Sequence, residues 1–326
     1  MIVKHYSRSG TVTDITQLVG TIQSSGDLLE VSRSVEISVT RPNRVYGISA
    51  PNVLLGEAIS LEIEGKEIFY GFVWDIEMDD NEIEQKILCF DHLIYVMRSE
   101  PSTQVFTKKS AGYIIKQVCK EVGVSVGKLP SVATVSTING RNETAYNILM
   151  MCCTEMRKVT GKSYYPIMRN RKLQIIEKGE LTEPVIEYRT EPIDGTLLSL
   201  QYKAALDNLV NKIIVKDDKG KKVDVISNSE DIKKYGQIMK QYYKQKGESK
   251  TVAKNLLQSA EHTIQISCIG AWSLRTGYSV TVKTGLFNAK FYIRSDTHHW
   301  SNGIHTTDLT LEFENNMDKK ELPKQG

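Results

Sequence analysis

Three landmarks of one strand–turn–strand pattern recur in this chain at a nearly constant spacing. Gly56 opens a strand in the first half and Gly277 opens one in the second. At almost the same offset, Phe69-Tyr70 in the next strand is matched by Phe291-Tyr292, and the turn Asp79-Asp80-Asn81 is matched by Ser301-Asn302-Gly303. A pattern repeated over that distance predicts two similar β-domains in one chain.

Alternation supports the strands of the first repeat. Residues 31–40 (VSRSVEISVT) set Val31, Val35, Ile37 and Val39 on one face and Ser32, Ser34, Glu36 and Ser38 on the other, as a half-buried strand requires. Ile59, Leu61 and Ile63 share a face, Glu64-Gly65-Lys66 turns, residues 68–76 run back, and a third strand spans residues 82–90. Beyond residue 99 the period changes to 3.6. Ser110 is placed to cap a helix whose Ile114, Ile115, Val118, Cys119 and Val122 form one stripe, with Gly123 to end it. A second helix from near Asn142 carries Ala145, Ile148, Leu149, Cys152, Cys153 and Met156 on one face and stops before Gly161. A hairpin of residues 164–168 and 173–177 follows.

Strands return at residues 196–202 and 209–216. The next stretch reads as helical, with Ser229 as cap, Ile232, Tyr235, Ile238, Met239 and Tyr242 as its stripe and Gly247 as its stop. Ser249 is placed to cap another helix bearing Val252, Leu256, Leu257 and Ala260. The last meander spans residues 277–313. One side of it is buried only if Ile293 faces Leu311 and Phe291 faces Phe313, which a three-residue loop Ser301-Asn302-Gly303 provides; a two-residue turn would set Ile293 against Glu312. The fold class is therefore α+β, mainly β. Residues 1–98 form a first β-barrel-like domain and residues 99–180 an α+β middle module. Residues 181–316 form a second, similar β-barrel-like domain with a helical insertion at about 217–261, and residues 317–326 a polar tail.

Composition bounds the function. At 326 residues, with about 100–200 per domain the usual size, the chain divides into two or three domains. Its 42 Lys and Arg against 39 Asp and Glu leave a charge of +3, too even for a sequence-independent polyanion binder. The apolar run at residues 146–153 falls far short of the ~18 residues a membrane span needs, and residues 1–6 lack the apolar region of a secretory signal. No membrane insertion is expected, and the chain reads as made in a cytosol. The five cysteines show no CxxC pair, and four of them lie in apolar segments, the pattern of reduced core thiols. Lysines at 233, 234, 240, 244, 246, 250 and 254, interleaved with tyrosines, raise an RNA-binding reading. Solvated helix faces explain them without it, and no specific nucleic-acid partner is assigned.

The residues that tempt a catalytic or metal reading are Asp296, His298, His299, His305 and Asp308. Zinc or a catalytic base needs such groups to converge. The three-residue loop sets His299 and His305 on one face and Asp296, His298 and Asp308 on the other, with Arg294 placed to offset Asp296 against Asp308. Asp91-His92 directly after a strand reads as a turn or helix cap, and no GxGxxG, Walker A, GxSxG or HExxH pattern is present. No catalytic, cofactor-binding or metal residue is assigned, and no cofactor is expected.

The order of several segments resembles the baseplate hub proteins of contractile phage tails, most closely the XkdQ/YqbQ type of Gram-positive prophages. The segments are residues 32–39 (SRSVEISV), 69–73 (FYGFV), 89–93 (CFDHL) and 231–236 (DIKKYG), with Gly277 and residues 291–299 (FYIRSDTHH) near the end. The resemblance implies a structural homotrimer with two similar barrel domains per subunit, joining a six-fold tail tube protein to a three-fold central spike protein. Other baseplate and tape-measure-associated proteins would be further partners. It places the chain in the baseplate of a virion or tail-like particle assembled in the bacterial host cytoplasm. Some related hubs carry a fused hydrolase, for which this chain has neither spare length nor motif. The alternative from another class is a cell-wall hydrolase or metal-dependent enzyme of a phage tail using Asp296, His298, His299 and His305.

Overall fold

The computed structural model describes residues 1–42, 45–47, 49–188, 196–244, 253–254 and 256–320. The chain is mainly β with four α-helices among the described residues, and it divides into two units, residues 1–200 with 265–326 and residues 201–264.

In the first unit one sheet carries both meanders. From one end its order runs Leu197–Ala205, Glu261–Ile269, Ile304–Glu312, Asn288–Ser301, Val19–Asp27, Ser34–Thr40, Glu84–Phe90, Lys66–Met78, Ala58–Ile63, Ile2–Tyr6 and Val12–Asp14. Tyr278–Lys283 pairs with Asn288–Ser301 off this path. The alternation of residues 31–40 holds: Val31, Val35, Ile37 and Val39 are buried, and they pack with Ile22, Ile59, Leu61, Phe69, Ile87 and other residues in apolar cores.

The two meanders share more than strand order. Gly56 and Gly277 both hold positive φ, 80° and 92°, two residues and one residue before their strands. In the first meander Phe72 lies opposite Phe90 and Val73 opposite Cys89; then Trp74 bulges and Asp75 faces Leu88. In the second Tyr292 lies opposite Glu312 and Ile293 opposite Leu311; then Arg294 bulges and Ser295 faces Thr310. The bulges at Trp74 and Arg294 keep nearly the spacing of the landmarks seen in the sequence.

This bulge corrects the expected loop. Ser301 pairs directly with Ile304, so the turn has two residues, Asn302 and Gly303, both at positive φ (52° and 79°) as a type I′ hairpin requires. The extra residue expected in the loop sits instead at Arg294, in the strand. Ile293 still meets Leu311, and the Phe291 and Phe313 rings meet edge-on with centroids 5.2 Å apart. Between bulge and turn, however, every side chain of residues 295–301 changes face relative to the expectation, while Leu309 and Leu311 keep the buried face.

The helix Ala111–Glu121 starts at Ser110, whose hydroxyl accepts from Tyr113 N, and Gly123 has φ 74° just past its end. The helix Ala145–Thr160 begins a little past Asn142, with Thr144 as its cap, and it ends at left-handed Gly161. It is buried on more than one face: Tyr146, Met150 and Met151 are covered as well as the predicted stripe. The hairpin Tyr164–Arg169 with Lys172–Glu177 closes on a two-residue turn, Asn170-Arg171, tighter than expected. All five cysteines are free and buried, and burial pushes the thiols of Cys119, Cys153 and Cys268 up to about 12.

The polar tail expected from residue 317 starts later. Met317 is buried, Tyr146 donates to Asp318 at 2.7 Å, and the buried Lys178 ammonium donates to Asn316 O at 2.7 Å and lies 3.6 Å from Glu312.

The second unit corrects the helical insertion expected at 217–261. Among its described residues only Ser229–Tyr235 is a helix of any length, and Asn228 rather than Ser229 caps it, accepting from Glu230 N and Asp231 N. Ile238, Met239 and Tyr242 do not continue a helical stripe. Met239–Tyr243 is a strand, parallel to Lys212–Lys216, which pairs antiparallel with Lys222–Ser227 on its other side. Gly236 breaks the helix, and the Asn211 side chain then donates to Gly236 O at 2.7 Å and accepts from Ile238 N at 2.8 Å, holding the chain in an extended path. Ser249 and Val252 of the second expected helix lie outside the described residues.

Candidate functional site

The strand Asn288–Ser301 has 14 residues, yet Tyr278–Lys283 covers only residues 288–292 of one side. Past the bulge, that same side takes a strand of the other repeat: residues 295–301 pair antiparallel with residues 21–27, Ser295 opposite Asp27 and Ser301 opposite Thr21. This seam joins the two repeats, and the residues singled out in sequence lie on it.

Asp296 is fully buried in the seam and meets Arg33 in two parallel hydrogen bonds of 2.8 Å. Arg33 stands one residue before the strand Ser34–Thr40, and Gly26 leaves room for the pair: a Cβ there would lie 2.7 Å from the Arg33 guanidinium. Thr276 donates its N–H at 2.6 Å and its hydroxyl at 2.7 Å to the same carboxylate. Burial pushes the Asp296 carboxyl up, but the Arg33 charge and the bonds from His298 and Arg33 outweigh it and hold the group well below the usual carboxylate range. Tyr165 fastens the middle region here by donating to Asp27 O at 2.9 Å.

The pairing Trp300 to His305 and His298 to Thr307 keeps His298 on the face of Asp296, as expected, but brings His305 to that face as well, contrary to the expected arrangement. His299 is on the other side, 3.2 Å from Asp308, and both are exposed. Asp296 faces Leu309 and not Asp308, so the expected repulsion and its relief by Arg294 do not arise. His298 Nε2 lies 3.1 Å from Leu274 O and 3.2 Å from Asp296, both acceptors, so Nε2 carries the proton. Nδ1 is then an acceptor, meeting His305 Nε2 and Thr307 Oγ1 at 3.0 Å each. Trp272 stacks on both rings, with centroids 4.7 and 4.3 Å away, and a Cβ on Gly270 would overlap the His305 ring. Both nitrogens of His298 serve protein groups. Among the described residues no three His, Cys, Asp or Glu side chains are grouped to hold a metal.

Burial lowers the pKa of both imidazoles, that of His305 to about 4 with the nearby His298 adding to it. A depressed imidazole is neutral in the fold and protonated in the unfolded chain below about pH 6.5. Its contribution to stability is therefore present above that pH and declines as pH falls toward 4. His305→Gln removes this dependence, so the denaturation midpoint of the variant should fall less than that of the parent between about pH 6.5 and pH 4. An equal fall in both proteins would contradict the assignment.

Sequence reasoning found Asp296, His298 and His305 but missed Arg33, Thr276 and Trp272. The available signal was an acidic residue on an alternating strand position that faces the core, which demands a cation from elsewhere in the fold. Asp91-His92 serves as expected of a cap: Asp91 accepts from Leu93 N at 2.9 Å and from Ser32 Oγ at 3.0 Å, starting the helix Leu93–Arg98. Its carboxyl is pushed up to about 6 by burial against those bonds.

The family model described as YQBQ-like matches residues 22–312, both meanders and everything between. The chain belongs to the YQBQ-like family. The resemblance seen in the sequence is thereby borne out, and solved structures show how widely the fold of this YQBQ-like chain is shared. The 43 kDa tail protein of prophage MuSo2 from Shewanella oneidensis is similar at a TM-score of 0.70 and 13% identity, over 96% of this chain and 98% of that one. Prophage tail protein gp18 from Listeria monocytogenes is similar at 0.59 and 13%, over 98% and 96%. The Escherichia coli c3393 protein, described as a type VI secretion component with structural similarity to the T4 tail proteins gp27 and gp5, is similar at 0.54 and 10%, over 94% and 76%. Among curated protein sequences none matches the YQBQ-like chain.

Proposed function

We propose that this chain is a structural baseplate hub protein of a contractile tail. In this reading residues 1–98 and 181–316 are two tube domains and residues 99–180 a module that braces them. Three copies form a ring of six tube-facing repeats that stacks on a six-fold tail tube and seats a three-fold spike. The observation that carries it is the repeat itself, with its shared bulge at Trp74 and Arg294: a trimer presents six equivalent surfaces only if each subunit holds two. Membership of the YQBQ-like family and the tail-protein fold support the same reading. The ring would sit in the baseplate of a virion or tail-like particle assembled in the host cytoplasm, with no catalytic role.

Light scattering of the purified protein, alone and with its spike partner, tests the stoichiometry. Obligate assemblies often bury more than about 2,000 Å² per interface, so the trimer is expected at the latest when the spike is added. A dimer or a hexamer would overturn the hub reading.

A further inference from the structure

The seam inside the chain is half of a pattern whose other half is left open. In the second meander the far half of the central strand, residues 295–301, is covered by residues 21–27 of the first repeat. The matching part of the first meander is the end of Lys66–Met78. That strand pairs with Ala58–Ile63 only up to Phe72, and beyond the bulge Asp75–Met78 keep Glu84–Phe90 on one side and have no strand on the other among the described residues. The counterpart of the nine-residue strand Val19–Asp27 is Leu197–Ala205, also nine residues, which stands at the end of the sheet order with one edge open among the described residues. An open edge and an open strand of the same chain thus correspond to two elements that pair with each other elsewhere in it.

We propose that Leu197–Ala205 of one copy adds antiparallel to the edge Asp75–Met78 of a second copy, repeating between subunits the pairing that joins the repeats within one. The proposal rests on the trimer reading and names the surfaces that close it. Because the two edges differ, the contact is head-to-tail, the kind that closes into a ring when its rotation is a third of a turn, whereas an edge pairing with itself would stop at a dimer.

Apolar exposure follows these edges. Ile22 and Ser24 are each 1% exposed under the seam, whereas Leu198 and Tyr202 on the open strand are 56% and 42% exposed, and Trp74 and Met78 on the open edge 38% and 58%. Unpaired strand edges bearing apolar side chains are where a second chain adds. The register also transfers. Ser25 lies opposite Thr297 with their hydroxyls 3.3 Å apart. Thr297 corresponds to Glu77 when the bulges at Arg294 and Trp74 are aligned, and Ser25 corresponds to Lys203 when the strands starting at Val19 and Leu197 are aligned, so the seam pair becomes an acid facing a base. Glu77 has Lys86 3.9 Å away on its own sheet and is otherwise exposed, so the incoming Lys203 would flank it from the open side.

Disulfide trapping in the full chain tests this. Residues opposite each other across antiparallel strands have Cβ atoms about 4.5–5.5 Å apart, near disulfide reach. Both positions are exposed, and the five native cysteines are buried and will not compete. Glu77→Cys with Lys203→Cys, oxidised with the spike partner present, should give a covalent ladder that ends at three subunits, while either single variant should give none. In a second arm, Lys203→Glu should weaken the trimer at least tenfold and Glu77→Lys added to it should restore assembly. A trimer by light scattering with no ladder and no charge rescue would overturn these edges and leave the trimer standing. A protein that stays monomeric with no ladder would overturn both.

Discussion

Asp296→Ala is expected to destabilise the protein by about 3–5 kcal/mol, the range for removing one partner of a buried ion pair. The substitution strands the Arg33 guanidinium and takes the acceptor from Thr276 N and Oγ1 and from His298 Nε2. Equilibrium denaturation of the purified variant checks it, with Asp308→Ala as the control. Asp308 belongs to an exposed pair with His299, and surface changes of that kind usually stay within about 0.5 kcal/mol. Arg33→Met combined with Asp296→Leu should recover much of the loss, because the cost lies in an unpaired buried charge more than in the missing bond. Equal effects of Asp296→Ala and Asp308→Ala would show that Asp296 is not buried in the seam.

Phe291→Ala and Phe69→Ala should each cost about 3–5 kcal/mol, the usual effect of emptying a buried aromatic site. The two residues lie on the core-facing side of the central strands of the two meanders, and both are buried, Phe291 at 1% and Phe69 at 5% exposure. Phe291 also anchors a cluster in which the Phe287 and Phe313 rings meet it edge-on at 5.4 and 5.2 Å. Thermal melts of both variants would check this. A neutral result at either position would mean that its strand does not face a core, and the equivalence of the meanders would fail with it.

What could be read from the sequence was governed by periodicity. Period-2 alternation located Val35, Ile37 and Val39 on the buried face, and 3.6-residue stripes located the helices capped at Ser110 and Thr144, because burial on one side writes itself directly into residue order. The pairing of Ile293 with Leu311 was legible for the same reason, but its cause was not. A bulge at Arg294 and an extra loop residue give the same partners near the strand ends, and only the residues between them, His298 and His305 among these, differ. Met239–Tyr243 was misread because its apolar spacing fits a helix as well as a strand. The deciding contacts come from Asn211, a distant residue that no local pattern reveals. Arg33 was invisible as the partner of Asp296 because the two lie near opposite ends of the chain and neither has a local reason to be paired.

Three-fold averaged electron microscopy of the assembled particle tests the hub reading most directly. The account predicts three copies of this chain at the junction of tail tube and spike, each presenting two repeats to the tube. Six copies there, or density for the chain on the sheath or tail fibres, would contradict it.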